Sequence, residues 1–204
     1  MISVYQLKPQ FQRMLSPVLN SLIRLRITPN QVTLFALFLS LGCGAALASA
    51  PQSVGLWIGL PFFFLLRMAL NAIDGMLAVH TNARSRTGAI LNEICDVAAD
   101  IALYLPLVTV AGISSPLVVA FVIAGVLTEF AGVLAVTIGT NRRFDGPMGK
   151  SDRAVAVGVI ALMIAAGVEP DWLNAALAVI LFLAVWTIVN RLLRALRVSG
   201  QPTH

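Results

Sequence analysis

NAIDGMLAVHTNARSRTGAILNEICDVAAD, residues 71–100, decides how this chain is read. Asn71, Asp74, Asn92, Glu93, Asp96 and Asp100 fall inside it, in a sequence that is 58% hydrophobic and only 11% charged. On a helix Asn71 and Asp74, three apart, share a face, and Asn92, Asp96 and Asp100, four apart, form a stripe. Two helices joined by the short loop between them would bring those faces together as oxygen ligands near one membrane surface. A carboxylate in hydrocarbon is costly and normally faces a bundle interior or an aqueous cavity, so it marks a candidate functional site. Several carboxylates in one place repel unless a cation neutralises them, and hard oxygen donors suit Mg2+, Mn2+ or Ca2+.

Outward from this stretch the chain reads as an all-α integral membrane protein. Its composition excludes a disordered or ordinary soluble protein, and 204 residues allow six spanning helices with a short tail at each end. The expected spans are 31–50, 54–79, 88–111, 117–140, 154–168 and 173–193, separated by turns that contain Pro51, Pro116 and Pro170. All 14 Lys and Arg residues except Arg67 lie in segments on one side of this arrangement, which predicts that both termini and the two longer loops are cytoplasmic. The net charge of +5 follows from the same asymmetry and needs no nucleic-acid partner. Cys43 and Cys95 sit in apolar runs without disulfide or zinc spacing. Residues 1–26 carry Lys8, Arg13, Arg24 and Arg26 and lack the uninterrupted apolar core of a cleaved signal peptide.

Before the first span, Val4, Leu7, Phe11, Met14, Leu15, Val18, Leu22 and Leu25 recur at helical spacing, with Lys8, Gln12, Arg13 and Asn20 on the other side. The pattern fits a helix lying in the membrane interface, with a plain cytoplasmic lead-in as the alternative. The expected organisation is one domain over 1–204: an interfacial helix at 1–27, a six-helix bundle at 28–196 and a cytoplasmic tail at 197–204.

The central segment resembles the signature of the CDP-alcohol phosphotransferases, D-x2-D-G-x2-A-R-x8-G-x3-D-x3-D. Asn71 takes the first acidic position, Asp74 the second, Gly75 the glycine, Ala78 the alanine, Val79 the arginine, Gly88 the second glycine, Asn92 the third acid and Asp96 the fourth. The lead-in TPNQVTL, residues 28–34, is similar to the family as well. The resemblance implies a bacterial inner-membrane enzyme of phospholipid synthesis, with a homodimeric assembly. It implies transfer of a phosphatidyl group from CDP-diacylglycerol to a hydroxyl acceptor, a polyol or polyol phosphate, with release of CMP. Asp96 would be the general base. Asn71, Asp74, Asn92 and Asp96 would hold Mg2+ or Mn2+, one or two ions, with Asp100, one turn beyond Asp96, favoured over Glu93 to supply a missing charge. Asn30, Thr33, Asp74, Gly75, Ala78, Arg84 and Gly88 would meet the donor nucleotide and diphosphate. Arg142, Arg143, Lys150 and Arg153 would hold the acceptor.

Three departures stand against this match. Asn71 and Asn92 remove two negative charges while keeping carbonyl oxygens, so one tight ion, or a second that arrives with substrate, becomes the expectation. Val79 removes a cation, for which His80, Arg84 or Arg86 would have to compensate. Small residues such as Gly75 and Ala78 also serve helix packing, the loop arginines also set topology, and Thr28 also serves as a helix cap. Arg67, on the same face as Asn71 and Asp74, and Glu129, alone in its span, are expected to pair with one another, with a polar wall of the substrate cavity as the alternative. Two other readings stay open: a family member that binds nucleotide-lipid or metal without turnover, and an ion or solute carrier. Against the carrier, the acids lie toward one surface and no inverted repeat is evident.

Overall fold

The structure, a computed structural model, describes the backbone of residues 4–199 and the side chains of residues 14–197. The polar face expected at Lys8, Gln12 and Arg13, and the tail from residue 200, lie outside the described side chains and residues. Seven α-helices are described: α1 Val4–Arg24, α2 Pro29–Ser49, α3 Val54–His80, α4 Arg86–Tyr104, α5 Ser115–Thr137, α6 Lys150–Ala165 and α7 Pro170–Ser199. A 3-10 segment, Leu105–Thr109, continues α4 because Pro106 lacks the N–H that an α-helix would use there.

Local chemistry sets the ends. Thr28 N–H donates to Gln31 Oε1 at 2.8 Å and Gln31 N–H donates to Thr28 Oγ1 at 3.3 Å, a reciprocal cap behind which Pro29 opens α2. Asn82, in the left-handed region at φ 52, closes α3. Gly149 N–H donates to Asp152 at 3.0 Å, so α6 begins four residues before the apolar run does.

Helices α2, α3, α5 and α7 are long and apolar enough to cross a membrane. Helix α4 carries Arg86, Glu93, Asp96 and Asp100, and α6 has 16 residues, so neither meets that standard by length and composition. Large apolar side chains point outward, as a lipid-facing helix requires: on α7, Trp172, Val179, Phe182 and Trp186 are exposed, and the rings of Phe182 and Trp186 lie 6.2 Å apart.

The chain forms two compact units. The first comprises the chain up to Gly42 together with Leu65–Ala99. Its core is Leu19, Val32, Ile73 and Leu77, with Leu15, Leu22 and Met76 packed around them, so α1 is anchored by its apolar side. The second comprises Cys43–Phe64 and the chain from Asp100 onward. Here α5 packs along α7, and the Tyr104 ring sits between Phe64 and Phe121 at centroid distances of 6.0 and 5.7 Å. Trp57, Leu60, Leu107 and Leu177 are fully enclosed in the same core. Gly44 lies against the carbonyl of Ala102, an approach no larger residue would permit.

Candidate metal and diphosphate site

The first unit brings the signature residues of α3 and α4 together. Asn71 Nδ2 donates to Asp96 Oδ1 at 2.9 Å, which joins the two faces that the helical spacing set up. Arg67, one turn before Asn71 and only 5% exposed, donates from Nη2 to the backbone oxygen of Asp96 at 2.8 Å and stands 3.5 Å from Asp96 Oδ1. Asp74 is 7% exposed, and Thr33 Oγ1 on α2 lies 2.9 Å from its Oδ2. The Thr33 hydroxyl also lies 3.2 Å from the carbonyl of Pro29; its single proton goes to the nearer, charged acceptor. Thr33, expected at the nucleotide, is therefore held on a carboxylate.

Asn92 is different. Its Oδ1 is enclosed and accepts no hydrogen bond. A buried carbonyl oxygen left without a donor costs about 1–3 kcal/mol, and a hard cation or a ligand hydroxyl would satisfy it. With the Asp74 and Asp96 carboxylates, this oxygen fits a divalent ion of the Mg2+ or Mn2+ kind. Among the described residues no three His, Cys, Asp or Glu side chains form a metal-holding group.

The remaining donor candidates lie at the edge of this unit. Gly75 is exposed, and a Cβ added there would meet nothing within 4 Å. Ala78 is half-buried, and Arg84 lies in the exposed loop between α3 and α4. At Gly88 an added Cβ would stand 3.0 Å from Asn30 Oδ1, so the glycine lets the start of α4 meet the start of α2.

The second unit holds the other polar cluster. Asp100 lies here, 8% exposed, and Arg153 Nη2 donates to its Oδ2 at 3.0 Å. The residue expected to complete the ligand set thus serves an arginine. Arg153 is 1% exposed; it also donates to Glu129 Oε1 at 3.0 Å and, from Nη1, to Thr128 Oγ1 at 2.6 Å. A guanidinium so enclosed, expected at the acceptor, is held by protein partners on α4 and α5.

Glu129 receives Arg142 at 3.1 Å and has Arg191 Nη1 at 3.7 Å. The expected pairing of Arg67 with Glu129 gives way to these separate partnerships. Burial, and after it the charge of Arg191, lowers the Arg142 pKa from its ordinary value. Asp145 lies 2.9 Å from Arg143 and 2.6 Å from Arg194, and its backbone oxygen accepts from Arg191 Nε at 3.1 Å. Arg191 Nη1 also donates to the carbonyl of Thr128. Lys150 opens α6 and is half-buried. Sequence reasoning missed Asp145, Thr128, Arg191 and Arg194 as partners; the charged loop at 141–149 was the visible signal for Asp145 alone.

Residues 26–190 match the family model described as CDP-alcohol phosphatidyltransferase. The chain is 42% identical over 203 residues to the inner membrane protein YnbA of Escherichia coli K12, covering 98% of this chain and 100% of that one. It is 27% identical over 194 residues to a phosphatidylinositol phosphate synthase of Mycobacteroides abscessus, covering 93% and 86%. Its fold is that of the Mycobacterium tuberculosis phosphatidylinositol phosphate synthase crystallised with CDP-DAG bound, at TM-score 0.77 and 21% identity over 94% of this chain and 99% of that one. The same enzyme in complex with manganese and citrate superposes at TM-score 0.74, with 92% of each chain covered and 21% identity. With the signature residues of α3 and α4 facing one another inside a matched region of this extent, the chain belongs to the CDP-alcohol phosphatidyltransferase family.

Proposed function

We propose that this protein is an active transferase that moves the phosphatidyl group of CDP-diacylglycerol to the hydroxyl of a polyol or polyol phosphate. In that reaction the acceptor oxygen forms a bond to the phosphorus bearing the diacylglycerol, the bond from that phosphorus to CMP breaks, and the acceptor proton passes to Asp96. The observation that carries the reading is the meeting of α3 and α4 at Asn71 and Asp96, beside a buried Asn92 oxygen that no protein donor fills.

Each residue has a part that its surroundings support. Asp74, held by Thr33, and Asn92 present oxygen to a cation; Asp96, held by Asn71 and Arg67, is aimed for proton transfer. When bound, Mg2+ or Mn2+ would supply positive charge to the diphosphate and to the departing CMP. The open space over Gly75 lets a large phosphate group approach backbone, and Arg84 offers a cation where Val79 offers none. Arg142, Arg143 and Lys150 would hold an anionic acceptor, with Arg153 as their support.

In the same reading the chain is one functional domain in a bacterial inner membrane, with six helices crossing it. Helix α1 lies in the interface, both termini are cytoplasmic, and the protein works as a homodimer. The short α4 and α6 span because their charged and polar residues face protein or water instead of lipid.

The test is an assay of purified, full-length protein in detergent with CDP-diacylglycerol, a divalent cation and a panel of polyols and polyol phosphates. Equimolar CMP and a new phosphatidyl alcohol with one acceptor is the expected result. Donor binding without CMP release across the panel would contradict turnover and favour a family member that only binds.

A further inference from the structure

Position 71 carries an amide where it faces a carboxylate at hydrogen-bond distance. Asn71 Nδ2 to Asp96 Oδ1 is 2.9 Å, and charge settles which end of the amide points there, because an amide oxygen against a carboxylate would be repulsive. Arg67, on the same face of α3, adds a guanidinium 3.5 Å from the same Oδ1 and a 2.8 Å bond to the Asp96 backbone oxygen.

An aspartate at position 71 would place two carboxylates at this separation, an arrangement that needs a shared proton or a shared cation. The asparagine removes the requirement: its N–H spans the gap, and the neighbouring positive charge comes from Arg67. At Asn92, one turn before Asp96 on α4, the situation is reversed. Asn92 Oδ1 is enclosed without a donor, and Asp74 offers a carboxylate already oriented by Thr33.

We infer that Asn71 is a positioning residue for Asp96 that stands in for a bridging cation, so that the site loads a single divalent ion per chain, on the Asp74 and Asn92 side. The inference rests on the reading of this cluster as a cation site. It gives the asparagine a purpose: an N–H to Asp96 does without metal what a carboxylate at 71 would do only with one. It also assigns Arg67 to the site, where its charge steadies Asp96.

The experiment is a count of tightly bound Mn2+ on purified full-length protein, by electron paramagnetic resonance of the free ion against total manganese by mass spectrometry. One ion per chain is expected for the wild type. Asn71→Asp is expected to take two, with the line broadening of a spin-coupled pair that separated surface ions would not give. Two ions on the wild type would overturn the inference and leave the proposed reaction standing. None on the wild type would overturn the inference and the cation reading together. A folded Asn71→Asp that stays at one ion would overturn the bridging role. If that variant is not monodisperse, the wild-type count decides alone.

Discussion

Two buried polar clusters, the acids of α3 and α4 and the arginines gathered around α5, α6 and α7, are built in opposite ways. In the arginine cluster each acid is saturated: Glu129 has Arg142, Arg153 and Arg191, Asp145 has Arg143 and Arg194, and Asp100 has Arg153. Backbone joins in, since Arg143 N–H donates to Gly132 O at 3.1 Å and Met148 N–H donates to Thr187 Oγ1 at 2.9 Å. In the acid cluster an oxygen of Asn92 is enclosed with no donor. Each acid of the first arrangement is matched by guanidinium charge, which makes it a framework, while the Nε of Arg153 is itself enclosed there without a hydrogen-bond partner. What sets the acid cluster apart is the kind of atom left over: a carbonyl oxygen among carboxylates, the donor type a hard cation takes. The contrast separates a set of cations held by ion pairs from a set of acids with an unfilled oxygen, inside one small chain.

Substitutions can break that contrast or sharpen it. Asp96→Asn should lower CMP release by about 10⁴-fold, the upper range for loss of a general base, without lowering the melting temperature in detergent. Glu129→Ala should do the reverse in kind, since it strips Arg153, Arg142 and Arg191 of an acid; about 3–5 kcal/mol of stability should go, read as a large drop in thermal melting. A Glu129→Ala protein that melted like the wild type would remove the framework claim.

Smaller changes probe the packing around each cluster. In Gly132→Ala the new Cβ would stand 2.6 Å from the Arg143 carbonyl, so about 1–3 kcal/mol should be lost as the 141–149 loop is displaced. Asn174 ties α7 to the turn before α5, accepting from Ser114 N–H at 2.8 Å and donating to Gly112 O at 3.0 Å; Asn174→Ala should cost about 1–2 kcal/mol in chemical denaturation. Gly75→Ala meets nothing and should leave stability unchanged or raised by up to about 1 kcal/mol, while CDP-diacylglycerol binding weakens. Unchanged donor affinity in that variant would detach Gly75 from the site.

Much of this was legible in the sequence, for reasons that particular residues show. The prolines at 51, 116 and 170 and the apolar runs put six helices where they are, because helix length and breakers are local properties. The ends moved where caps outweigh hydropathy: α6 starts at Lys150 through Gly149 and Asp152, and α4 stops at Tyr104 ahead of Pro106. The spacing of Asn71, Asp74, Asn92 and Asp96 was readable because it follows helical period. What the amides do was not readable, since composition does not say that Asn71 turns its nitrogen to Asp96. The partners of Glu129 were hidden for another reason. Arg142 and Arg153 lie 13 and 24 residues away, and only tertiary packing decides which of several cations reaches a buried acid. Arg67 lay on the right face in sequence; its acid proved to be on α4 and not α5.

The central claim is that the acid cluster is an exchangeable metal and diphosphate site with Asp96 at the chemistry. Its most direct test is CMP release from CDP-diacylglycerol by the full-length protein after dialysis against a chelator, followed by return of Mg2+ or Mn2+. The account predicts activity lost on chelation and restored on return for the wild type, and absent throughout for Asp96→Asn. CMP release that ignores the chelator, or that persists in Asp96→Asn, would contradict it.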